Sequence, residues 1–119
     1  MSVQFKKEIS FERRLSESTR ILDKYDTRVP IIVTPHNTSK LAIIDKNKYL
    51  VPHDLTIGQF LHVIRKRIKL GPSESIFLYV NDNILPPTSS TMVSLYKSHK
   101  DEDGFLYLSY CGENTFGLN

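Results

Sequence analysis

The feature that most constrains the fold of this 119-residue chain is one strongly signalled helix set between strand-like segments. Thr56 and Gln59 have the spacing of a capping box, in which each side chain satisfies a backbone N–H of the first turn. Apolar residues then recur every three or four positions, which predicts a helix with one buried face. That face contains Ile57, Phe60, Leu61, Ile64 and Ile68. The helix is predicted to end at Gly71-Pro72, since proline cannot continue a helix.

Segments rich in β-branched and aromatic residues predict strands on both sides of that helix. They are residues 29–33, 48–52, 76–80 and the run that begins at Phe105. Pro30 favours a sheet edge or a strand start for the first of them, because proline cannot donate to a ladder. Residues 81–83 predict a turn, and the hydroxyl residues at 88–91 can cap a short helix before the last strand.

Two further helices are predicted before the first strand. Lys6-Lys7-Glu8 suits a short turn or helix, and Ser10 suits the N-cap of a longer one. The predicted buried face of the longer helix consists of Phe11, Leu15, Ser18 and Leu22, whereas Ile21 lies off that face. The resulting order is helix, helix, strand, strand, helix, strand, short helix, strand. This order matches an α+β fold, the ubiquitin-like β-grasp, in which a four-stranded mixed sheet surrounds one helix and two N-terminal helices are added.

The chain is expected to form a single domain, because its length falls within the usual size of one. Its parts are expected to be a helical extension at 1–26, the β-grasp at 27–111 and a flexible tail at 112–119. The single Cys111 excludes an internal disulfide, and no apolar run approaches the roughly 18–20 residues that span a bilayer. A cytoplasmic location is therefore expected.

Composition argues against several functional classes. The four histidines lie in separate segments and cannot form a closed zinc site with one cysteine, so neither a metal nor a catalytic group is expected. The net charge of +3 permits acidic partners without requiring them. Nucleic acid is not expected as a partner, because the basic clusters lack exposed aromatic residues for base stacking.

The C-terminal segment has an unusual composition for a polar tail. Phe116-Gly117 is followed only by Leu118-Asn119 in this sequence. Glycine has no Cβ, so a catalytic cysteine can approach its carbonyl from either side. The alternative is an ordinary small and polar chain end.

Seven sequence blocks, spread over nearly the whole chain, give a more specific indication. They are RVPIIV at 28–33, DKNKYLVP at 45–52, GQF at 58–60, IRKRI at 64–68, PPT at 86–88, DGFLY at 103–107 and ENTFG at 113–117. In these blocks the chain resembles the ubiquitin-like autophagy modifiers, the family that includes GABA-receptor-associated protein and the microtubule-associated protein light chains. The resemblance implies the β-grasp with two N-terminal helices.

The resemblance also implies a use for the tail. A cysteine protease of the autophagy pathway would remove Leu118-Asn119, and activating and conjugating enzymes would join Gly117 to phosphatidylethanolamine, with Phe116 in the neighbouring subsite. The protease would recognise Phe77 and Tyr79. The protein would catalyse nothing itself, would need no cofactor besides this covalent lipid, and would be cytoplasmic before attachment and on the autophagosome membrane afterwards.

A second implied function is the docking of cargo receptors. Their short, acidic-flanked aromatic-x-x-aliphatic peptides would add as a strand to a sheet edge. By resemblance, the pocket for the aromatic residue consists of Glu17, Ile21, Pro30, Ile32, Lys48, Leu50 and Phe105. The pocket for the aliphatic residue consists of Tyr49, Val51, Pro52, Leu55, Phe60 and Val63. The cations implied to meet the peptide's acids are Arg28, Lys46, Lys48 and Arg67.

Two alternatives stay open at this point. The apolar pocket residues could instead be ordinary core, which is the commoner location of such residues. The protein could also be an unconjugated ubiquitin-like adaptor in vesicle trafficking or microtubule binding, with an idle tail. Basic clusters at 6–7, 13–14 and 65–67 would then contact acidic partners.

Overall fold

The computed structural model describes residues 2–112, with side chains from residue 4 onward. Its elements follow the predicted order of two helices, two strands, a helix, a strand, a short helix and a strand. Their bounds are α1 Ser2–Glu8, α2 Phe11–Lys24, β1 Arg28–Pro35, β2 Lys48–Pro52, α3 Ile57–Arg67, β3 Phe77–Val80, α4 Met92–His99 and β4 Leu106–Cys111.

The four strands form one mixed sheet in the order β2-β1-β4-β3. β1 pairs antiparallel with β2 and parallel with β4, and β4 pairs antiparallel with β3. Consequently β2 and β3 are the two edge strands of this sheet. The sheet and the helix order agree with the β-grasp predicted from the sequence.

Of the two locations that the sequence predicts for Pro30, a sheet edge or a strand start, the sheet edge is wrong, because β1 is a central strand. Val33 N–H donates to Asn47 O at 2.7 Å and therefore points toward β2. Successive backbone N–H groups of a strand point to opposite sides, so the backbone nitrogen of Pro30, three residues earlier, points toward β4. Pairing with β4 begins only at Ile31 and Leu106. The missing N–H of Pro30 therefore removes no ladder bond.

The main core lies between α3 and one face of the sheet. Thr56 Oγ1 accepts from Gln59 N at 3.2 Å, and Gln59 Oε1 accepts from Thr56 N at 2.9 Å, so the predicted capping box is confirmed. The residues that α3 buries here are Ile57, Phe60 and Ile64. They belong to one cluster with Val29, Ile31, Val33, Leu106, Leu108 and Tyr110 of the two central strands. This cluster fixes α3 across the sheet.

The C-terminus of α3 lies earlier than Gly71-Pro72, where the sequence predicted it. Lys69 adopts a left-handed conformation with φ of 57° directly after the cap residue. Leu70 N–H donates to Arg65 O at 3.0 Å, and Lys69 N–H donates to Lys66 O at 3.3 Å. These two bonds form a Schellman motif, which usually contains glycine at the left-handed position. Lysine occupies that position here, so the end of the helix has no glycine signal in the sequence.

The face of α2 that packs on the sheet also differs from the prediction. Phe11 and Leu15 are 40 % and 39 % exposed, whereas Arg14, which was not predicted on this face, is 7 % exposed. Ser18 is 1 % exposed, as predicted. Ile21, which was placed off the buried face, is partly buried. It contacts a second cluster on the opposite face of the sheet from α3. The buried members of this second cluster are Phe5, Ile32, Phe105 and Tyr107.

A buried ion pair joins α2 to the start of β4. Arg14 Nη1 lies 2.7 Å from Asp103 Oδ2, and Asp103 is fully buried. Asp103 Oδ1 accepts from Phe105 N at 2.9 Å, and the Tyr107 hydroxyl donates to Asp103 Oδ2. Burial raises the pKa of the Tyr107 hydroxyl far above its usual range, and the hydrogen bond to Asp103 acts in the same direction. We call Arg14, Asp103 and Tyr107 the Asp103 clamp.

Gly104 allows α2 to lie this close to the loop before β4. Its φ is +87°, and a Cβ at this position would lie 2.2 Å from Ser18 Oγ. Ser18 Oγ also donates to Asp103 O at 2.6 Å. A left-handed conformation and a close approach both require glycine here.

Candidate functional site

The open edge of β2 is the candidate binding site for an extended peptide. β1 pairs with one side of β2, and no other strand of the described range pairs with the other side. Tyr49 and Val51 contribute to the main core, whereas Lys48 and Leu50 point to the opposite face. An added strand would therefore lie between two apolar clusters, one on each face of the sheet.

The residues implied to form the aromatic pocket lie together on the face of the second cluster. Across the β1–β2 pair, Pro30 is opposite Leu50 and Ile32 is opposite Lys48. Lys48 Nζ bonds to Glu17 Oε2 of α2. The remaining two members, Ile21 and Phe105, share the second cluster with Ile32.

Phe5 of α1 covers the floor of this pocket, which the sequence did not indicate. Its ring centroid lies 5.8 Å from that of Phe105 in an edge-to-face arrangement and 6.3 Å from that of Tyr107. Lys48 Nζ lies 5.9 Å from the Phe5 ring centroid. Ile32 and Phe105 are both 0 % exposed. An incoming aromatic side chain would therefore meet Phe5 and Lys48 before the floor.

The residues implied to form the aliphatic pocket divide into a buried part and a surface part. Tyr49, Val51 and Phe60 are buried in the main core, with the Tyr49 and Phe60 rings edge to face at 5.3 Å. The members that stay wholly or partly exposed are Pro52, Leu55 and Val63. A peptide residue in this pocket would contact those three directly and rest above the aromatic pair.

The four cations implied to meet a peptide's acids already have partners within the protein. The pairs are Arg28 with the Leu50 carbonyl, Lys46 with the Tyr49 ring, Lys48 with Glu17, and Arg67 with Asp45. The two ion pairs are partly exposed, and exposed pairs of this kind contribute only about 0–1 kcal/mol. Carboxylates of a peptide can therefore compete for these cations at low cost.

Phe77 and Tyr79, implied to be recognised by the protease, lie on β3 at the other edge of the sheet. Phe77 is half-buried opposite Cys111, and Tyr79 is buried opposite Ser109. The Tyr79 and His36 ring centroids are 5.6 Å apart. Burial raises the pKa of the Tyr79 hydroxyl, and the neighbouring Cys111 acts in the same direction. Protease recognition and peptide docking would thus use opposite edges.

The proposed cleavage and conjugation point, Gly117 with Phe116, lies outside the described residues. The described part of the chain leads up to it as far as Gly112. Gly112 packs against Leu41, since a Cβ on Gly112 would lie 3.1 Å from Leu41 Cδ2. The last described residue therefore lies against the loop that contains Leu41.

A groove of about 260 Å³ on the outer side of α2 was not indicated by the sequence. Its lining residues are Ile9, Glu12, Arg13, Ser16, Glu17 and Arg20. The groove is lined by two carboxylates and two guanidinium groups, so these charges cancel. Glu17 is the residue that it shares with the aromatic pocket.

Two features are absent from residues 2–112. No group of three or more His, Cys, Asp or Glu side chains in this range is placed so that it could hold a metal ion. Within the same range, no helix has both the length and the apolar composition needed to cross a membrane.

A four-stranded mixed sheet around α3, with two helices added before it, defines a ubiquitin-like protein. A family model described as "Autophagy protein Atg8 ubiquitin like" matches residues 13–117. Autophagy-related protein 8 of Schizosaccharomyces pombe is 57% identical over 117 residues, which cover 98% of this chain and 96% of that protein. The corresponding protein of Cochliobolus heterostrophus is also 57% identical, over 98% of each chain.

A solved structure agrees with these relatives. The crystal structure of Trypanosoma brucei ATG8 has a TM-score of 0.87 and 42% sequence identity, covering 95% of this chain and 97% of that chain. The chain therefore belongs to the Atg8 family of ubiquitin-like autophagy proteins. The resemblance and the fold inferred from the sequence are confirmed, and the family is one of modifiers and adaptors, not enzymes.

Proposed function

We propose that this protein is a ubiquitin-like modifier that is clipped after Gly117 and conjugated to phosphatidylethanolamine on autophagosomal membranes. There it recruits cargo receptors and adaptors through short aromatic-x-x-aliphatic peptides. A cysteine protease of the autophagy pathway exposes the Gly117 carboxylate, and activating and conjugating enzymes transfer it. The protein is cytoplasmic before lipid attachment and on the autophagosome membrane afterwards.

The observation that carries the receptor-binding part is the open edge of β2, with an apolar cluster on each face. Successive side chains of a strand point to opposite faces of its sheet. In an aromatic-x-x-aliphatic segment the two anchors are three residues apart, so they point to opposite faces. One anchor then meets the face of Lys48 and Leu50, and the other meets the face of Tyr49 and Val51. The peptide spacing and the alternation of β2 fit each other.

Electrostatics supports the preference for acidic flanks. Arg28, Lys46 and Lys48 lie in or near the two strands at this edge, and Arg67 lies at the end of α3. The partners of Lys48 and Arg67 are partly exposed carboxylates, so a peptide carboxylate replaces one weak pair by another while adding its own backbone hydrogen bonds. Charge therefore contributes to the choice of peptide, in addition to the strand pairing and the two anchors.

The tail supports the conjugation part through the chemistry of its residues. Hydrolysis of the Gly117–Leu118 amide releases Leu118-Asn119 and leaves a carboxylate. That carboxylate must be adenylated by ATP and passed to an enzyme cysteine as a thioester, from which the lipid amine displaces the thiol. Glycine at the acyl position lets the chain pass through narrow active sites, since no side chain limits the approach.

The experiment is an intact-mass measurement of the protein from autophagy-competent cells. We expect the full chain to lose Leu118-Asn119 and to gain the mass of the lipid on starvation. Gly117→Ala should not gain lipid, whereas Asn114→Ala, a matched change in the same tail, should behave like the unaltered chain. A chain ending at Gly117 should be lipidated without the protease, and one ending at Phe116 should not. An unaltered mass of the full chain would instead favour the unconjugated adaptor.

A further inference from the structure

The loop before β2 presents one aliphatic side chain to solvent in a fixed position. Ile43 is 81 % exposed, whereas its neighbour Ile44 is 6 % exposed within the main core. The Tyr110 hydroxyl donates to Ala42 O at 2.6 Å and accepts from Ile44 N at 2.9 Å. These two hydrogen bonds flank residue 43 on both sides. The backbone is therefore held so that Ile44 points inward and Ile43 points outward.

The same loop contacts the point where the tail leaves the fold. Leu41 packs against Gly112, where a Cβ would approach three of its side-chain carbons to between 3.1 and 3.4 Å. Tyr110, which holds the loop, lies on β4 two residues before Gly112. Ile43 follows Leu41 by two residues, so this loop places Ile43 near the beginning of the tail.

The reach of the tail limits where a protease can sit. Gly117 follows Gly112 by five residues, and a fully extended chain covers at most about 18 Å over that interval. The catalytic cysteine of an enzyme that cleaves after Gly117 must come within that distance of Gly112. An enzyme is several times wider than 18 Å, so the rim around its active site must rest on the surface that surrounds Gly112.

We propose that Ile43 contacts an apolar depression on the rim of the protease that cleaves after Gly117. This inference rests on the proposed function and adds a contact to it besides Phe77 and Tyr79. A single aliphatic side chain on a hydrogen-bonded loop loses little conformational freedom on docking, so most of its burial contributes to binding. Ile43 is remote from the scissile bond, and its contact is therefore the same in the bound substrate and in the transition state.

The test compares cleavage of the full-length chain and three variants by the purified cysteine protease of the pathway. Ile43→Asp should raise KM by roughly ten- to a hundredfold, which corresponds to loss of a buried aliphatic contact, and should leave kcat unchanged. Ile43→Leu keeps an aliphatic contact and should restore most of the KM. Leu85→Asp is the matched control, because Leu85 is 51 % exposed and follows Ile84, which pairs with Val80 at the end of β3 far from Cys111.

The outcomes separate this inference from the proposed function. Failure of the protease to cleave the unaltered chain would overturn both. Cleavage of the unaltered chain with an equal KM for Ile43→Asp and Leu85→Asp would overturn the inference alone. A chain ending at Gly117 provides a further arm with the activating and conjugating enzymes. If Ile43→Asp slows its lipid attachment and leaves protease cleavage unaffected, the contact belongs to those enzymes and the inference is wrong.

Discussion

Removal of the arginine in the Asp103 clamp should destabilise the protein strongly. Arg14 is 7 % exposed and Asp103 is 0 % exposed, and the two are joined by a 2.7 Å contact. Arg14→Ala deletes the cation and leaves a buried carboxylate with the Tyr107 hydroxyl and the Phe105 N–H as its remaining partners. The same helix offers a control in Arg13, which is the adjacent residue, has the same side chain and is exposed.

The expected magnitude follows from the burial of the pair. Breaking a buried ion pair by removing one partner costs about 3–5 kcal/mol, because the other charge stays buried. Two hydrogen bonds to Asp103 survive, so we expect a value near the lower limit of about 3 kcal/mol. For a domain of this size that loss lowers Tm by roughly 10–15 °C. Arg13→Ala should change the free energy of unfolding by less than about 0.5 kcal/mol.

The assay is urea unfolding at pH 7, followed by far-ultraviolet circular dichroism and fitted for midpoint and m-value. A double-mutant cycle with Asp103→Ala isolates the pairwise contribution, since removing both partners leaves no unpaired charge. We expect the double variant to be clearly more stable than the sum of the single losses predicts. Equal stabilities of Arg14→Ala and Arg13→Ala, or strictly additive losses in the cycle, would refute the assignment of the clamp.

Two further predictions concern charge and pH. Lys48→Glu reverses a cation at the β2 edge and should weaken acidic-flanked peptides by about five- to tenfold more than neutral ones, with the difference shrinking at high salt. Calorimetric titration at two salt concentrations checks this, and equal losses for both peptides would contradict it. Burial raises the pKa of five tyrosine hydroxyls, so the fold favours their neutral forms; they are Tyr49, Tyr79, Tyr96, Tyr107 and Tyr110. Their contribution to the free energy of unfolding is complete below the unfolded-state pKa of about 10. It is lost as the pH rises through the folded-state pKa values. Urea midpoints measured from pH 8 to 11 should therefore fall, and should fall less steeply in Tyr107→Phe; a flat profile would oppose the argument.

Elements whose signals are local were predictable from the sequence. α3 has its capping box and its apolar periodicity within twelve consecutive residues, 56–67, and both features are present in the structure. β2 has the predicted bounds, since Pro52 ends it and the preceding residues favour strands. The order of all elements followed from such signals and was sufficient to indicate the β-grasp.

Features that depend on distant partners could not be predicted in this way. Arg14 faces inward because the carboxylate of Asp103, 89 residues further along the chain, accepts a hydrogen bond from it. Without knowledge of that partner, periodicity assigned burial to Phe11 and Leu15, which are apolar but exposed. The central position of β1 likewise depends on its pairing with β4, which is the last strand of the chain.

The candidate site likewise combines features with local sequence signals and features that depend on distant residues. The alternation of β2 was predictable, but the residue that fills the aromatic pocket was not. An aromatic side chain of a peptide cannot contact Ile32 or Phe105 unless Phe5 moves, because Phe5 lies against that floor and both residues are fully buried. Burial of one phenylalanine and of its replacement each contribute about 1.5–3 kcal/mol, so the exchange of rings is nearly neutral. For the proposed peptide we therefore expect most of the affinity to come from the backbone bonds to β2, the second anchor near Val63 and the charges around Lys48. We also expect the position of α1, which the Lys6–Asp101 contact of 2.7 Å joins to the loop before β4, to affect the affinity for the proposed peptide.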